Sequence, residues 1–156
     1  NFDRGLMESQ GFGEYEPLPV AKLPPLFVAY HSNLAEGTEV THNDLRSRWN
    51  RGEAEVVDAI SEFASYAQQA RDLIEAGNGE QIGSLMDDNF DLRAKVCAVS
   101  EGNRQLVEIG KGHGAHVKFA GSGGAVVGQY DGDPERLARI TKDYQAFGAN
   151  VVTPLM

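Results

Sequence analysis

The sequence predicts an α+β domain in which an antiparallel sheet carries helices on one face, an arrangement related to the ferredoxin-like pattern. Three observations support this fold class. A long amphipathic helix is followed, after a Gly-Asn-Gly turn, by a second helix, which predicts a helical hairpin. Two short apolar runs flank a glycine-rich turn at residues 121–124, which predicts paired strands. A further strand precedes the helices, and another follows the last helix.

Length and composition are those of one globular domain, with 156 residues, 41% apolar and 24% charged. The formal net charge of −9 opposes binding to nucleic acid and to anionic membrane surfaces. No apolar run approaches the ~20 residues of a membrane span. The single cysteine, Cys97, excludes an internal disulfide and a cysteine-based metal cluster. Because residues 1–13 also lack the pattern of a secretory signal, we expect a cytoplasmic protein.

The first part of the chain is predicted to contain a lead-in, a strand and a short helix. Residues 1–22 are polar and punctuated by glycine and proline, so we assign them to an irregular lead-in that precedes the main domain, residues 23–156. The apolar run from Leu26 to Tyr30 has the length and composition of a buried strand. After a loop, Thr41 is expected to cap a short helix that extends through Trp49.

The longest periodic pattern lies between Glu53 and Ala76. Its apolar residues recur at alternating four- and three-residue steps, so they share one face of a long core helix. The turn at residues 77–79 ends this helix and predicts an antiparallel partner from Glu80 to about Val99. The predicted buried face consists of Val56, Ile60, Phe63, Ala67, Ala70 and Ile74.

Two polar residues interrupt the apolar stripe of the second helix. Asn89 falls within the stripe, and Arg93 lies about 40° from it on the same side, whereas Asp91 projects to the opposite face. A buried amide or guanidinium group needs hydrogen-bond partners. Two interpretations therefore fit: the side chains satisfy internal groups of the fold, or they face a polar cavity.

The second half of the chain is predicted to contain a third helix, paired strands, a final helix and a last strand. The third helix extends from about Asn103 to Gly112. Asp133 is expected to cap the final helix with Pro134 at its first position, and Gly148 ends that helix. The predicted strands of this half are residues 116–120, 125–130 and 150–153.

The glycine-rich turn, which consists of Gly121, Ser122, Gly123 and Gly124, is the strongest functional feature of the sequence. Glycine permits positive φ angles and lets backbone N–H groups approach a ligand closely, and Lys118 adds a positive charge nearby. The pattern is not a Walker A loop, because the lysine precedes the glycines, nor a dinucleotide fingerprint, because a strand follows. A phosphate site and a glycine-rich hairpin without a ligand both fit it.

No catalytic or metal-binding constellation is readable from the residues. The four histidines, His31, His42, His113 and His116, lack a metal-ligand spacing such as His-Glu-x-x-His. Ser122 lies in a hairpin rather than in the strand-to-helix elbow of a nucleophilic serine. Most of the carboxylates of residues 86–91 are expected to form a solvated helical face. We therefore assign no catalytic residue and no metal ligand.

Several motifs, in their order and spacing, resemble the C-terminal domain of the GHMP small-molecule kinases. They are the glycine-rich stretch 118–125, the Met-Asp-Asp-Asn-Phe-Asp-Leu-Arg stretch at 86–93, and Leu-Pro-Pro-Leu at 23–26. Residues 37–49 look like the loop-to-helix segment of glucuronokinase-like sequences. The resemblance covers most of residues 17–130.

The resemblance implies transfer of the γ-phosphoryl group of MgATP to a hydroxyl of a small molecule, in a cleft between two lobes. The expected substrate is a sugar or sugar acid such as glucuronate, phosphorylated at its anomeric hydroxyl. Galactose, a heptose phosphate and mevalonate are the alternatives within the family. The glycine-rich turn would be the third family motif, which supports the nucleotide phosphate loop, with Lys118 at its flank. The candidates for the substrate side are His42, Arg46, Asn89 and Arg93.

The phosphate loop of the family, Pro-x-x-x-Gly-Leu-Gly-Ser-Ser-Ala, has no match in this chain, and the catalytic residues of the family belong to its N-terminal lobe. We therefore expect the chain to be a C-terminal lobe, a fragment or a separately encoded subunit, that is inactive alone. Its expected partner is an N-terminal kinase lobe that holds most of the ATP and Mg²⁺. The alternative from another class is a non-catalytic α+β ligand-binding or regulatory module.

Overall fold

The computed structural model describes residues 4–35 and 38–154, and for Arg4 and residues 38–42 it describes the backbone alone. This part of the chain forms helices and strands in mixed order. The helices are α1 (Arg4–Gln10), α2 (Thr38–Asn50), α3 (Ala54–Glu75), α4 (Gly83–Val96), α5 (Glu101–Gly112) and α6 (Pro134–Ala146). The strands are β1 (Leu26–Tyr30), β2 (His116–Phe119), β3 (Ala125–Gln129) and β4 (Asn150–Val152).

The strands form one antiparallel sheet in the order β2-β3-β1-β4. The first strand lies in the interior of the sheet and pairs with β3 and β4, while β2 pairs with β3 as a hairpin. In this register Tyr30 lies opposite Ala125, so the end of β1 meets the glycine-rich turn. The predicted α+β class with an antiparallel sheet is confirmed.

The main core lies between one face of the sheet and helices α5 and α6. Alternate strand residues point to this face, as the period of two in a strand requires. The hydroxyl of Tyr144 on α6 donates a hydrogen bond of 2.7 Å to the carbonyl of Leu106 on α5, which ties the two helices together. The core residues on the sheet are Phe27, Ala29, Val117, Phe119 and Val126, and those on the two helices include Leu106, Val107, Ile140 and Tyr144.

The α3–α4 hairpin, whose existence is confirmed, lies beside β2 and reaches the opposite face of the sheet. Phe90 joins the main core, whereas Ile82 and Met86 pack with Ile74 and Val127 in a second apolar cluster. The predicted buried face of α3 is only partly right, because Ile60 is 45% exposed. A helix of 22 residues is about 33 Å long, roughly twice the length of a five-residue strand, so the sheet cannot cover it.

Several element bounds differ from those predicted. The lead-in is not wholly irregular, because it contains α1. The helix expected to begin at Thr41 begins at Thr38, so Thr41 lies within it. A 3₁₀ turn over Gly79–Ile82 precedes α4, which ends at Val96 rather than near Val99. The predicted cap of α6 is confirmed, since Asp133 accepts a hydrogen bond of 2.9 Å from the N–H of Glu135.

In the described ranges, none of the helices combines the length and the apolar character that crossing a membrane requires.

Candidate functional site

The glycine-rich turn connects β2 to β3 and closes with a hydrogen bond of 3.0 Å from the N–H of Ala120 to the carbonyl of Ala125. Gly121, Gly123 and Gly124 have φ angles of 147°, 152° and 76°, which L-residues rarely adopt. The N–H groups of Gly121 and Gly123 donate to no acceptor among the atoms that the structure describes. The turn therefore presents two backbone donors that the described fold does not use.

Arg93 holds the turn from the side of α4. Its guanidinium donates hydrogen bonds of 2.8 Å to the carbonyl of Gly121 and 3.0 Å to the carbonyl of Ser122. The same group lies 4.8 Å from the ring centroid of Phe119, which adds a cation–π contact. Of the two interpretations open for Arg93, satisfaction of internal carbonyl groups is the one that the geometry supports.

Asn103, near the start of α5, holds the other end of the glycine-rich turn. Its Oδ1 accepts a hydrogen bond of 2.6 Å from the N–H of Gly124, and its Nδ2 donates to the carbonyl of Leu34 at 3.2 Å and to Ser100 Oγ at 3.0 Å. Its side chain is 1% exposed. Sequence reasoning missed this residue, although its position three and four residues before Leu106 and Val107 placed it on the buried face of α5.

Gly124 lies against the segment that follows β1. Its carbonyl accepts a hydrogen bond of 2.8 Å from the N–H of His31. A Cβ atom at this position would lie 2.7 Å from the backbone nitrogen of Ala35. The close approach of two backbones explains why the turn needs glycine here.

An apolar cavity of about 320 Å³ lies between the α3–α4 hairpin and the sheet face opposite the main core. Lys118 and Asn89 are among its polar lining residues. The Nζ atom of Lys118 donates a hydrogen bond of 3.0 Å to the carbonyl of Phe119. Burial, together with the nearby charge of Arg93, lowers the pKa of Lys118. The apolar part of the lining includes Leu26, Phe63, Leu85, Met86 and Val127.

The remaining predicted residues lie elsewhere. Arg46 is exposed on α2 and lines a different groove, beside Trp49 and Ile60. The side chain of His42 lies outside the described residues. The structure therefore brings Asn89 and Lys118 into one cavity and Arg93 onto the turn, but it does not bring Arg46 to either place.

The acidic stretch of α4 forms more ion pairs than the sequence indicates. Asp87 Oδ2 lies 2.6 Å from His116 Nδ1, and its Oδ1 lies 3.2 Å from Lys111 Nζ. Asp91 is exposed, as predicted, and lies 3.7 Å from the same ammonium group. Within the described part of the chain, no three His, Cys, Asp or Glu residues are grouped as metal ligands. Asp87 is therefore the exception to the solvated face, on which Asp88 and Asp91 are exposed.

Replacing Arg93 with methionine is expected to loosen the glycine-rich turn. Two hydrogen bonds from a charged donor and a cation–π contact are lost, so we expect the free energy of unfolding to fall by about 1–2 kcal/mol. Amide hydrogen exchange at residues 121–123 should accelerate more than exchange in the core strands. Urea denaturation and hydrogen exchange measure these changes. Lys95→Met, an exposed position on the same helix, is the control and should change the free energy by less than about 0.5 kcal/mol; equal effects of the two substitutions would contradict the bracing role of Arg93.

Comparison with known proteins identifies two related sequences and several related structures. No family model matches the chain. It is 32% identical over 130 residues to Glucuronokinase 1 and to Probable glucuronokinase 2 of Arabidopsis thaliana. These matches cover 81% of this chain but only 36% and 35% of the two relatives. The chain therefore spans about a third of the length of its curated relatives.

Solved structures share the fold at lower sequence identity. The mevalonate kinase of L. major, in complex with R-mevalonate, matches with a TM-score of 0.74 and 19% identity over 88% of this chain and 43% of that protein. The Lin0012 protein of Listeria innocua matches with a TM-score of 0.71 and 12% identity over 90% and 41% of the two chains. The mevalonate kinase of Staphylococcus aureus MRSA252 has a TM-score of 0.55 and 19% identity over 83% and 42%. At these identities, the likeness establishes the fold.

Proposed function

Because the chain is a homologue of glucuronokinases and has the fold of a GHMP kinase C-terminal domain, we propose that it forms the C-terminal lobe of an ATP-dependent sugar or sugar-acid kinase. Glucuronate is the proposed substrate and its anomeric hydroxyl the proposed acceptor. The names of the two curated relatives support this choice over galactose or mevalonate. An N-terminal lobe is the proposed partner, since the chain covers about a third of those relatives.

The proposal rests on the way Arg93 orients the backbone of the glycine-rich turn. Arg93 binds the carbonyls of Gly121 and Ser122. In a trans peptide the C=O of one residue and the N–H of the next point in opposite directions. The N–H of Gly123 therefore points away from Arg93, with no acceptor in the described chain. Donors held in this way are suited to an anion such as a phosphate oxygen.

The residues present fit part of an ATP site. When bound, MgATP supplies the phosphoryl group, and the N–H of Gly123 would face its phosphate end. Ser122 and Gly124 would shape the turn, the latter by its close approach to Ala35. We assign no catalytic base to this chain, so the groups that position or deprotonate the acceptor hydroxyl are proposed to belong to the N-terminal lobe. The chain alone is accordingly proposed to be inactive.

A substrate assay on the protein in which this chain is joined to its N-terminal lobe tests the proposal. ADP production would be followed with MgATP and, in turn, glucuronate, galactose and mevalonate. We expect the highest kcat/KM with glucuronate. Turnover with galactose alone would contradict the substrate choice. Absence of ADP production with every compound would favour the non-catalytic binding module instead.

A further inference from the structure

We propose that Lys118 and Asn89 recognise the carboxylate of a sugar-acid substrate, and that the apolar cavity between the α3–α4 hairpin and the sheet receives the sugar ring. This inference rests on the proposed kinase function and deepens it, because it names the residues that distinguish a sugar acid from a neutral sugar. It also assigns Lys118 to the substrate side instead of the phosphate side that its sequence position predicts.

Lys118 is a half-buried cation without a carboxylate partner in the described chain. Its Nζ atom donates to the carbonyl of Phe119 at 3.0 Å, and none of the carboxylate oxygens that the structure describes lies within 4.0 Å of it. Lys111, by contrast, lies 3.2 Å from a carboxylate oxygen of Asp87. A partly desolvated ammonium group gains most from an anion that replaces its lost hydration. The cavity therefore favours a ligand that brings a negative charge.

Asn89 supplies a second polar group to the same cavity. Its side chain is half-buried, and its amide has no hydrogen-bond partner in the part of the chain that the structure describes. The amide can donate two hydrogen bonds. Together with the three donors of an ammonium group, these suit the two oxygens of a carboxylate. Asn89 therefore fits the second interpretation of the polar residues that interrupt the apolar stripe of α4, in which the side chain faces a cavity.

The rest of the lining suits the body of a monosaccharide. Phe63 and Tyr66 contribute aromatic surface, and Leu85, Met86 and Val127 contribute aliphatic surface, against which the C–H groups of a sugar ring can pack. The volume of about 320 Å³ lies within the range of small-ligand pockets, about 300–1,000 Å³. Burial raises the pKa of Tyr66, and the negative charges of Glu62 and Asp88 nearby raise it further, so its hydroxyl stays neutral.

The cavity lies next to the glycine-rich turn in the chain. Lys118 precedes Gly121 by three residues, and β2 ends at Phe119. In the pyranose ring of glucuronate, the anomeric carbon and the carbon that bears the carboxylate both flank the ring oxygen, so the two groups lie near each other. One molecule can therefore place its hydroxyl toward phosphate at the turn while its carboxylate reaches Lys118.

Lys118→Met tests this inference in the joined protein, with glucuronate and glucose as a matched substrate pair that differs at the carboxylate. We expect kcat/KM for glucuronate to fall about 30-fold, since hydrogen bonds to charged groups contribute about 1.5–3 kcal/mol, while kcat/KM for glucose changes less than about twofold. Lys95→Met is the control and should leave both values unchanged. The fold should tolerate Lys118→Met, because burial disfavours the charged lysine, and urea denaturation checks this.

An NMR titration of the 156-residue chain separates this inference from the proposed function. Glucuronate should shift the side-chain amide signals of Asn89, whereas glucose should not, and Lys118→Met should abolish the shift. If glucuronate binds through Lys118 but the joined protein does not phosphorylate it, the proposed kinase function is wrong and the carboxylate role stands. A preference for glucuronate over glucose that survives Lys118→Met would overturn the carboxylate role alone, and so would an absence of any shift at Asn89.

Discussion

Replacing Asn103 with leucine is expected to lower the free energy of unfolding by about 3 kcal/mol, because one buried and one half-buried backbone group lose their partners at about 1–3 kcal/mol each. These groups are the N–H of Gly124 and the carbonyl of Leu34, which both bond to the Asn103 amide. Leucine has the same number and branching of side-chain heavy atoms and is somewhat larger, so the substitution leaves no cavity. Urea denaturation monitored by circular dichroism measures the change.

Asn89→Leu is the matched control for that experiment. The same substitution on α4 removes an amide with no hydrogen-bond partner in the described chain and adds apolar surface to an apolar cavity. We expect a change of less than about 0.5 kcal/mol or a slight stabilisation. If Asn103→Leu were as mild as Asn89→Leu, the view that Asn103 fixes the glycine-rich turn would be wrong.

Replacing Gly124 with alanine is expected to lower the free energy of unfolding by about 2–5 kcal/mol. Alanine at its φ of 76° costs about 1–2 kcal/mol, and displacing the packed backbone at Ala35 costs about 1–3 kcal/mol more. The contact is between two backbones, so rotation of a side chain cannot relieve it. The difference in urea midpoint between variant and parent, at constant slope, gives the value.

Gly121→Ala separates crowding from backbone strain. Gly121 also has a positive φ, 147°, but among the described residues no atom outside its immediate neighbours lies within 4 Å of a Cβ placed there. We expect a loss of about 1–2 kcal/mol from strain alone. Equal losses at the two glycines would show that the approach of Gly124 to Ala35 does not matter for stability.

Most of the fold is predictable from local pattern. The five-residue apolar run gives β1 its bounds, and Asp133-Pro134 defines the start of α6, because strand composition and helix capping are local properties. The exposure of Ile60 is not predictable in this way. Periodicity shows which residues share a face of α3, but the length of the sheet decides how much of that face is covered.

The glycine-rich turn is also readable from the sequence, whereas the residues that hold it are not. Asn103 and Arg93 reach the turn from two different helices, and their partners lie 21 and 28 residues away in the chain. The surroundings of Lys118 are likewise not predictable from its position in the sequence. Its place three residues before the turn predicts a phosphate-side role, but alternation along β2 directs its side chain to the opposite face from Phe119 and into the cavity.

Phosphoryl transfer by the chain alone and by the chain joined to its N-terminal lobe tests the central claim most directly. Both proteins would be assayed for ADP release with MgATP and glucuronate at equal concentration. We predict that the joined protein turns over, that the chain alone shows no activity above background, and that both have the same urea midpoint for this domain. Enzymatic turnover by the chain alone would contradict the claim that it is the non-catalytic lobe of a two-lobed kinase.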